Sequence, residues 1–523
     1  MTGTDLGEVG AGEVAGSWES PIPDGLLDGV AAAHPSELGG SDSVPDPSPA
    51  AARSILEHGW WSVVAWGSGL ALGAGALSDN SFLTHVATGR LIRDGGAPHH
   101  DLFTFASGGK HIVVQSWLAS WLYAALDDLG GGAAIRVFVA AVCGALLTVV
   151  WRLSRPAGAL IARVGLVSMA GMVGLLWWNE RPQIIGFLVL ALVALVLQER
   201  RSPWWLAPLF ALWVNVHGSF PLGVAFVGGL LAVRVVGSRS IGRRELSEVG
   251  AVVVGLVVGA ALSPYGFELL TFPVELLGRS KALSFITEWR PLSFSSDGVV
   301  NINSVVFVAE AVAIGALLAW RRSWMRLAVA SVFVALALWA VRNVAIAALV
   351  LIPLVAPALA GLGTPDVSVV PPRPLRLAVG AFVAAVVAAF VVLTPAYDLS
   401  AYPTRAVDWM EAHGYVGRPA GSNARVLTHD YDGNYLEWRY GTRALPWLDD
   451  RAELHAYAVA RDYVFLLSDL GDADDILARN PHDVVLWEAD SSLGRHLLVD
   501  PDYRIVYRDA SSVVACRIGS TFC

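Results

Sequence analysis

Charged residues are scarce in this chain of 523 residues, and cysteines more so. Asp, Glu, Lys and Arg together make up 15% of the chain, hydrophobic residues make up 55%, and there are three cysteines. The net charge of −9 gives no basic surface, so no nucleic-acid partner is expected. What the chain has instead is a succession of apolar runs from Trp60 to Leu393, which predicts that most of it lies within a membrane.

Basic residues are absent from the first 50 positions, which hold nine acidic residues. The segment is rich in Gly, Pro, Ser and Asp and has no basic stretch before an apolar run, so it is predicted to be a disordered tail and not a signal peptide. A solvated tail is favoured over a partner-binding segment. We divide the chain into a cytoplasmic tail (1–52), a transmembrane domain (53–395) and a C-terminal domain (396–523).

Apolar windows predict about eleven transmembrane helices, each needing about 20 residues to cross. The windows are 58–78, 132–151, 164–178, 183–198, 203–216, 219–236, 247–263, 302–320, 325–341, 343–361 and 375–394. A further segment, 112–128, is apolar on one side, so it either crosses or lies along the surface. If segment 112–128 does not cross, the arginine clusters of the connecting loops all lie on one side of the membrane. If it crosses, they do not.

The positive-inside rule makes that arginine-bearing side the cytoplasm. The chain is therefore predicted to be a multi-pass plasma-membrane protein with a cytoplasmic N-terminus. The large first loop, 79–131, and the C-terminal domain then lie outside. Cys516 and Cys523 lie near the C-terminus, where a disulfide forms readily if that end is extracytoplasmic, although two free thiols remain the alternative.

The C-terminal domain is predicted to be α/β. The runs ARVLTH, ALPWLDD, HDVVLWEA, YRIVYRD and SVVACRI are strand candidates, and 453–467 and 473–479 are helix candidates. The segment HDYDGNYLEW spells part of a calcium loop, but the ligand spacing is incomplete. A turn followed by a helix cap is therefore favoured for Asp430 to Asn434.

Polar residues gather on the predicted outer face, where ionisable groups at membrane depth are costly and usually functional. Asp79 ends the first span and is a candidate general base, with the N-cap of a short helix as an equal alternative. His85 follows at helical spacing. His99, His100 and Asp101 are candidates for metal binding or acid–base chemistry, although an exposed polar turn explains them better.

Three later turns add to this face. Arg181, in the segment NERPQ, is a candidate phosphate clamp, or else an arginine that pairs with a neighbouring acid or reaches lipid headgroups. Asn215 and His217 stand at a helix end, and His217 is alternatively a satisfied turn residue. A third group in the outer loops supplies an acid, an aromatic belt residue and two cations: Glu288, Trp289, Arg290 and Arg342.

All of these residues except Arg342 lie in segments that resemble the bacterial multi-spanning glycosyltransferases of the GT-C class, particularly the protein mannosyltransferase and lipid A aminoarabinose transferase group. The segments are SDNSFLTHVATGRLI, HHDLFTF, QSWLASWL, RPQ, NVHGSF, SPYG, TEWRPLSF, DGNYLEW and LDDRAEL. The resemblance implies a GT-C-like fold, a sugar donor carried on a polyprenyl phosphate, and an acidic residue of the first outer loop as catalytic base.

Carried over by position, Asp79 is the base and Asp101 the second acid of that loop. Where the family has another acid or an aromatic two residues after the first aspartate, this chain has Ser81 and Phe82. The predicted substrate-binding residues are His85, Arg181, Asn215, His217, Glu288, Trp289, Arg290 and Arg342. Of these, Arg181, Arg290 and Arg342 are the candidates to stabilise the departing lipid phosphate.

The expected partners are a polyprenyl-phosphate-linked sugar, membrane lipid, and an acceptor that is a glycan, a lipid or a protein. No cofactor is expected, and the sequence does not support a divalent metal. Inversion and retention at the anomeric carbon both stay open. Two other functions are weighed: a transporter or flippase of lipid-linked glycans, and a non-catalytic membrane scaffold with a binding domain.

Overall fold

The computed structural model describes residues 49–174, 176–278, 287–296, 299–362, 372–451 and 453–523. The chain divides into two compact units, residues 1–52 and residues 53–523. The tail expected to be disordered lies outside the described residues up to position 48. Residues 53–523 hold both the apolar helices and the C-terminal domain.

Apolar helices make up most of this unit up to residue 393. In chain order they are α1 (Pro49–Gly73), α2 (Asn80–Gly95), α3 (Trp117–Leu153), α4 (Leu160–Gly174), α5 (Gln183–Gln198), α6 (Leu206–Val216), α7 (Phe220–Ser238), α8 (Arg243–Leu262), α9 (Glu268–Leu277), α10 (Ile302–Trp320), α11 (Trp324–Trp339), α12 (Val344–Leu359) and α13 (Arg373–Leu393). Two short antiparallel strands, β1 (Ser295–Ser296) and β2 (Val299–Val300), precede α10.

Within the described residues, six helical stretches are long and apolar enough to cross a membrane. They are Trp117–Ala157, Phe220–Ser238, Arg243–Leu262, Ile302–Trp320, Val341–Leu359 and Arg373–Leu393. This is the architecture of a helical membrane protein, but the predicted count of about eleven spans is not confirmed. At a rise of about 1.5 Å per residue, a helix such as α5 is only about 24 Å long, short of a hydrocarbon core of about 30 Å.

α3 is bent in the middle, and the bend bears on segment 112–128. Gly131 has φ 62°, a left-handed conformation that suits glycine, and it separates the two halves of the helix. At the start of the first half, Trp117 Nε1 donates to Asn215 Oδ1 over 2.7 Å, next to the end of α6. After the bend, Gly132 packs against the ring of Tyr397, beyond the end of α13. Both ends of the first half thus lie beside helix ends, which fits a segment lying along the surface.

Arg136 holds the ends of α1 and α13 together. It is 1% exposed, and its guanidinium donates to the carbonyls of Ala74 (2.7 Å) and Val391 (3.0 Å), near the ends of α1 and α13. It also donates to the hydroxyl and carbonyl of Thr394. One buried cation therefore satisfies carbonyls that the ends of two helices leave without helical partners.

The C-terminal part folds around a five-stranded sheet. The strands are β3 (Arg425–Leu427), β4 (Leu445–Pro446), β5 (Val484–Glu488), β6 (Tyr503–Arg508) and β7 (Ser512–Arg517), and the helices are α14 (Thr404–Ala412), α15 (Asp430–Tyr440), α16 (Tyr457–Leu467), α17 (Ala473–Arg479) and α18 (Ser492–Leu497). The strand order is β4-β3-β5-β7-β6; β3 pairs in parallel with β4 and β5, and β7 pairs antiparallel with β5 and β6. Each strand lies within a predicted run.

The turn predicted for Asp430 to Asn434 is wrong, because α15 begins at Asp430. Gly433 suggested a turn, but its role is packing: a Cβ there would lie 2.1 Å from the carbonyl oxygen of Leu448. Acids in the first turn, Asp430 and Asp432, suit the positive end of the helix dipole.

The C-terminal domain rests on α2. Thr84 Oγ1 lies 2.8 Å from Asn434 Oδ1 and 3.0 Å from Glu437 Oε2, both on α15. On the other side, α2 contacts the first half of α3 so closely that a Cβ on Gly89 would overlap the carbonyl of Ser120. α2 therefore packs between the C-terminal domain and the first half of α3. Cys516, on β7, and Cys523 form a disulfide that closes the chain end onto the sheet.

Replacing Arg136 with Met should lower the thermal stability of the detergent-solubilised protein. The buried carbonyls would lose a charged donor, which we expect to cost about 3 kcal/mol. Differential scanning fluorimetry measures the shift in Tm. Arg239→Met, at an exposed position, serves as the control. Equal melting temperatures for the two variants would contradict the role given to Arg136.

Candidate functional site

A cavity of about 1340 Å³ lies between the helices and the C-terminal domain. Its wall on the helix side includes His85, Gln115, Arg181, Gln183, His217, Glu288, Trp289 and Arg342. Its wall on the domain side includes His429, Asp430, Asp432, Asp449, Asp450, Arg451, Glu453 and Trp487. An apolar part is formed by Pro273, Leu276, Leu277, Leu336 and Trp339. Elements far apart in sequence thus enclose one chamber.

Asp79 stands directly before α2, yet its carboxylate does not cap that helix. Arg181 Nε donates to both of its oxygens over 2.7 Å, and Asn179 Nδ2 donates over 3.2 Å. The neighbouring acid, Glu180, accepts from the backbone amides of Ser78 and Asp79, each over 2.6 Å. Asp79 thus occupies the N-cap position of α2, but its carboxylate makes no capping hydrogen bond. Asp79 lies behind Arg181 and is not part of the cavity wall.

Arg181 bridges two acids. Besides Asp79 it forms an ion pair with Glu288, from the loop before β1. Its side chain is 23% exposed at the cavity. Burial opposes its charge, but the two carboxylates outweigh burial and raise the pKa of Arg181. The charge of this arginine is thus balanced within the protein.

Arg342 has different surroundings. Its guanidinium lies over the ring of Trp289, 4.5 Å from the centroid, and in the part of the chain that the structure describes it forms no ion pair. The loop carrying Trp289 is held against the Arg342 turn, because Val341 N donates to Arg290 O over 3.0 Å. Arg290 itself is exposed and does not line the cavity.

The two predicted histidines, His85 and His217, line the same wall and are neutral. Burial lowers the pKa of His85 to about 3, and Arg181 adds to the effect. Burial also lowers the pKa of His217 to about 3, with Arg342 as the next cause. His85 Nδ1 lies 3.1 Å from Ser120 Oγ, and His217 Nδ1 lies 2.8 Å from Ser219 Oγ. Both rings can exchange hydrogen bonds with a ligand but contribute no charge.

Asn215, predicted to bind substrate, ties helices together instead. Its side chain accepts from Trp117 and donates to the carbonyls of Ala211 (2.8 Å) and Gly259 (2.9 Å). The residue is 4% exposed and does not line the cavity. The sequence showed only that Asn215 ends a helix, and not that α8 packs against it.

The carboxylate of Asp101, predicted as a second catalytic acid, is also engaged in hydrogen bonds within the protein. Its buried carboxylate accepts from Thr104 Oγ1 over 2.6 Å and from Arg451 Nη2 over 2.8 Å. Arg451 in turn pairs with Asp449. Burial opposes the charge of Arg451, but the neighbouring acids outweigh burial and raise its pKa. Asp101 thus attaches the first loop to the C-terminal domain. It does not line the cavity, so we leave it out of the proposed site.

Sequence reasoning missed the acids that the domain contributes to the cavity. Burial raises the pKa of Asp450 to about 7, although a hydrogen bond from Ser81 opposes this shift. Burial also raises the pKa of Asp432 to about 8. The segment LDDRAEL was noticed, but nothing in it shows that Asp450 faces a chamber. The only available signal was a pair of adjacent acids following an apolar strand.

A cluster of possible metal ligands does occur, but it lies elsewhere. Among the described residues, Asp474, His496 and Asp500 place their ligand atoms within 4.8 Å of one another. They belong to the C-terminal domain and do not line the cavity. His99 and His100 instead contact the rings of Tyr265 and His111.

The fold is similar to solved structures of an archaeal oligosaccharyltransferase, a GT-C glycosyltransferase. Against the apo form of the Archaeoglobus fulgidus enzyme the TM-score is 0.52, with 11% identity over 82% of this chain and 70% of that one. The same enzyme tethered to an acceptor peptide with an NVT sequon gives 0.52, with 12% identity over 82% and 69%. The archaeal enzyme AglB with an inhibitory peptide and a dolichol-phosphate gives 0.52, with 11% identity over the same shares.

No protein-family model and no curated protein matches the chain. The similarity in structure therefore concerns the fold. It confirms the predicted GT-C-like fold, at an identity too low to point to a particular member.

Asp101→Asn should destabilise the protein, because Arg451 would lose one of its buried anionic partners. We expect a loss of about 3 kcal/mol, typical of removing one member of a buried ion pair. Thermal unfolding in detergent measures it, with the exposed Asp94→Asn as control. If Asp101→Asn melts like the control, the attachment between loop and domain lies elsewhere.

Proposed function

We propose that this chain is a GT-C-type membrane glycosyltransferase that moves a sugar from a polyprenyl-phosphate donor to an acceptor outside the cytoplasm. The observation that carries the proposal is the cavity, which joins an apolar wall among the helices to a polar chamber beneath the domain. The solved relatives of this fold include one that holds a dolichol-phosphate and an inhibitory peptide, which supports a lipid-linked donor and a second substrate.

The apolar wall is suited to the isoprenoid chain. Leu277 and Trp339 line the cavity and are also exposed, by 50% and 54%, on apolar helices that would face lipid. A lipid chain could therefore pass between α9 and α11 while its head enters the chamber. Burying such a chain contributes about 0.8 kcal/mol per methylene, so this wall supplies affinity without chemical specificity.

The phosphate belongs beside Arg342. Of the three predicted cations, Arg181 is balanced by Asp79 and Glu288, and Arg290 does not line the cavity. Arg342 is left to offset the charge that the phosphate gains as the glycosidic bond breaks. Its stacking on Trp289 holds the guanidinium plane in position without neutralising it.

Proton transfer then falls to a carboxylate of the chamber. An acceptor hydroxyl needs a base within hydrogen-bond reach whose pKa lies near the working pH. Asp450 lines the cavity and has a pKa of about 7, which makes it our first choice. Asp79, the base expected from the sequence, accepts hydrogen bonds from Arg181, and its role as base stays a prediction.

The proposal also places the cavity on one side of the membrane. We place the cavity and the C-terminal domain outside the cytoplasm, because the arginine-rich loops lie at the opposite ends of the helices. The disulfide between Cys516 and Cys523 supports the placement, since disulfides persist in oxidising compartments.

Arg342→Met should lower the rate of sugar transfer at saturating donor by about 100-fold, because the developing phosphate charge loses its cation. Transfer from a radiolabelled polyprenyl-phosphate sugar in proteoliposomes measures the rate. Arg290→Met is the matched control, an exposed arginine of the neighbouring loop, and should transfer at the wild-type rate. A larger loss in the control than in Arg342→Met would contradict the assignment.

The pH dependence identifies the base. If Asp450 accepts the proton, kcat/KM rises with pH and levels off above about pH 7, since the deprotonated form is active. Asp450→Asn should remove this inflection and lower the rate by about 10² to 10⁴.

The matched variant is Asp79→Asn, which should slow transfer by releasing Arg181 while keeping the inflection. The opposite pattern, an inflection lost in Asp79→Asn and kept in Asp450→Asn, would return the base to Asp79. The exposed Asp475→Asn controls for the loss of a domain carboxylate.

A further inference from the structure

Gln183, at the start of α5, has a buried amide without a partner. The residue is 6% exposed and lines the cavity, and its Nε2 makes no hydrogen bond within the part of the chain that the structure describes. A buried donor left unsatisfied lowers stability, and such groups are rare in native proteins. An acceptor oxygen supplied by a ligand would satisfy it.

Gln183 lies close to His217 in the chamber. Gly186, one turn further along α5, packs against His217 and Ser219: a Cβ there would lie 3.5 Å from His217 Cβ and 3.3 Å from Ser219 Oγ. Arg342 is the charge that acts most strongly on His217. Gln183, His217 and Arg342 thus share one wall.

This wall offers one positive charge and several neutral hydrogen-bonding groups. Among the described lining residues, Arg342 is the cation that forms no ion pair, since Arg181 pairs with Glu288 and Arg451 with Asp449; Glu288 and Glu453 act on its charge only from a distance. A phosphodiester carries one negative charge and two non-bridging oxygens. It therefore matches one guanidinium and one amide donor.

We propose that Gln183 binds the phosphate of the lipid-linked donor, donating its side-chain amide to one non-bridging oxygen while Arg342 holds the other. The inference rests on the proposed function for the identity of the ligand. Gln183 is then a binding residue that favours a singly charged phosphodiester.

Replacing Gln183 separates this role from a structural one. Gln183→Leu keeps the size and removes the donor, so the ligand-free protein should melt at the same temperature or higher. Binding of farnesyl methyl phosphate, a phosphodiester, relative to farnesol, measured by calorimetry on the full-length protein in detergent, should weaken by about tenfold. Gln183→Glu, which sets a carboxylate against the phosphate, should weaken it further.

Gln198→Leu is the matched control, because Gln198 is on the same helix at its other end and donates to Leu153 O over 3.2 Å. It should lower Tm slightly and leave the preference for farnesyl methyl phosphate over farnesol unchanged. A Gln183→Leu protein that melts lower and keeps the wild-type preference would overturn the inference, since Gln183 would then only hold the fold together.

Failure of the role given to Gln183 can be distinguished from failure of the proposed transferase activity. Phosphate preference that depends on Gln183, in a chain that transfers no sugar, would support this inference and contradict the transferase. Sugar transfer by Gln183→Leu with an unchanged KM for the donor would support the transferase and contradict this inference.

Discussion

The site depends on the ion pairs that Arg181 makes with Asp79 and Glu288. They join the start of α2, the turn before α5 and the loop before β1, which are far apart in sequence. They also determine which positive charge in the chamber is available to a ligand. Because Arg181 is balanced by two acids, Arg342, which forms no ion pair among the described residues, remains as the charge available to an anionic ligand.

The second constraint is the attachment of the C-terminal domain to α2 and the first loop. Asp101 and Arg451 join loop and domain through a buried ion pair, and Thr84 meets Asn434 and Glu437 on α15. These contacts bring Asp450 over a cavity whose floor is formed by membrane helices. The polar chamber and the apolar wall are therefore continuous, as a substrate with a charged head and an isoprenoid tail requires.

Much of the fold could be read from the sequence, because hydropathy and alternation report on local structure. The apolar helices, the five strands and the GT-C-like fold were all predicted. The number of spans could not be fixed, since α4, α5 and α11 are shorter than a bilayer core is thick. The bend at Gly131 was equally hidden, because three consecutive glycines also fit a flexible connection.

The site was less readable, since pairing between distant residues has no local signal. The sequence singled out Arg181, His85, His217, Glu288, Trp289 and Arg342, and all of these line one cavity. It could not show that Asp101 would be taken by Arg451, or that Asn215 would join α6 to α8. The segments NERPQ and LDDRAEL were noticed, but Gln183 and Asp450 were given no role, because burial, and not residue type, distinguishes them from other polar residues.

The most direct test of the account is to locate the bound lipid. A polyprenyl phosphate with a photoreactive group in its isoprenoid chain, cross-linked to the protein in vesicles and mapped by mass spectrometry, should label α9 and α11 near Leu276, Leu336 and Trp339. An excess of unlabelled polyprenyl phosphate should prevent the labelling. Labelling confined to helix faces remote from the cavity, or unaffected by competitor, would contradict the assignment of this chamber as the donor site.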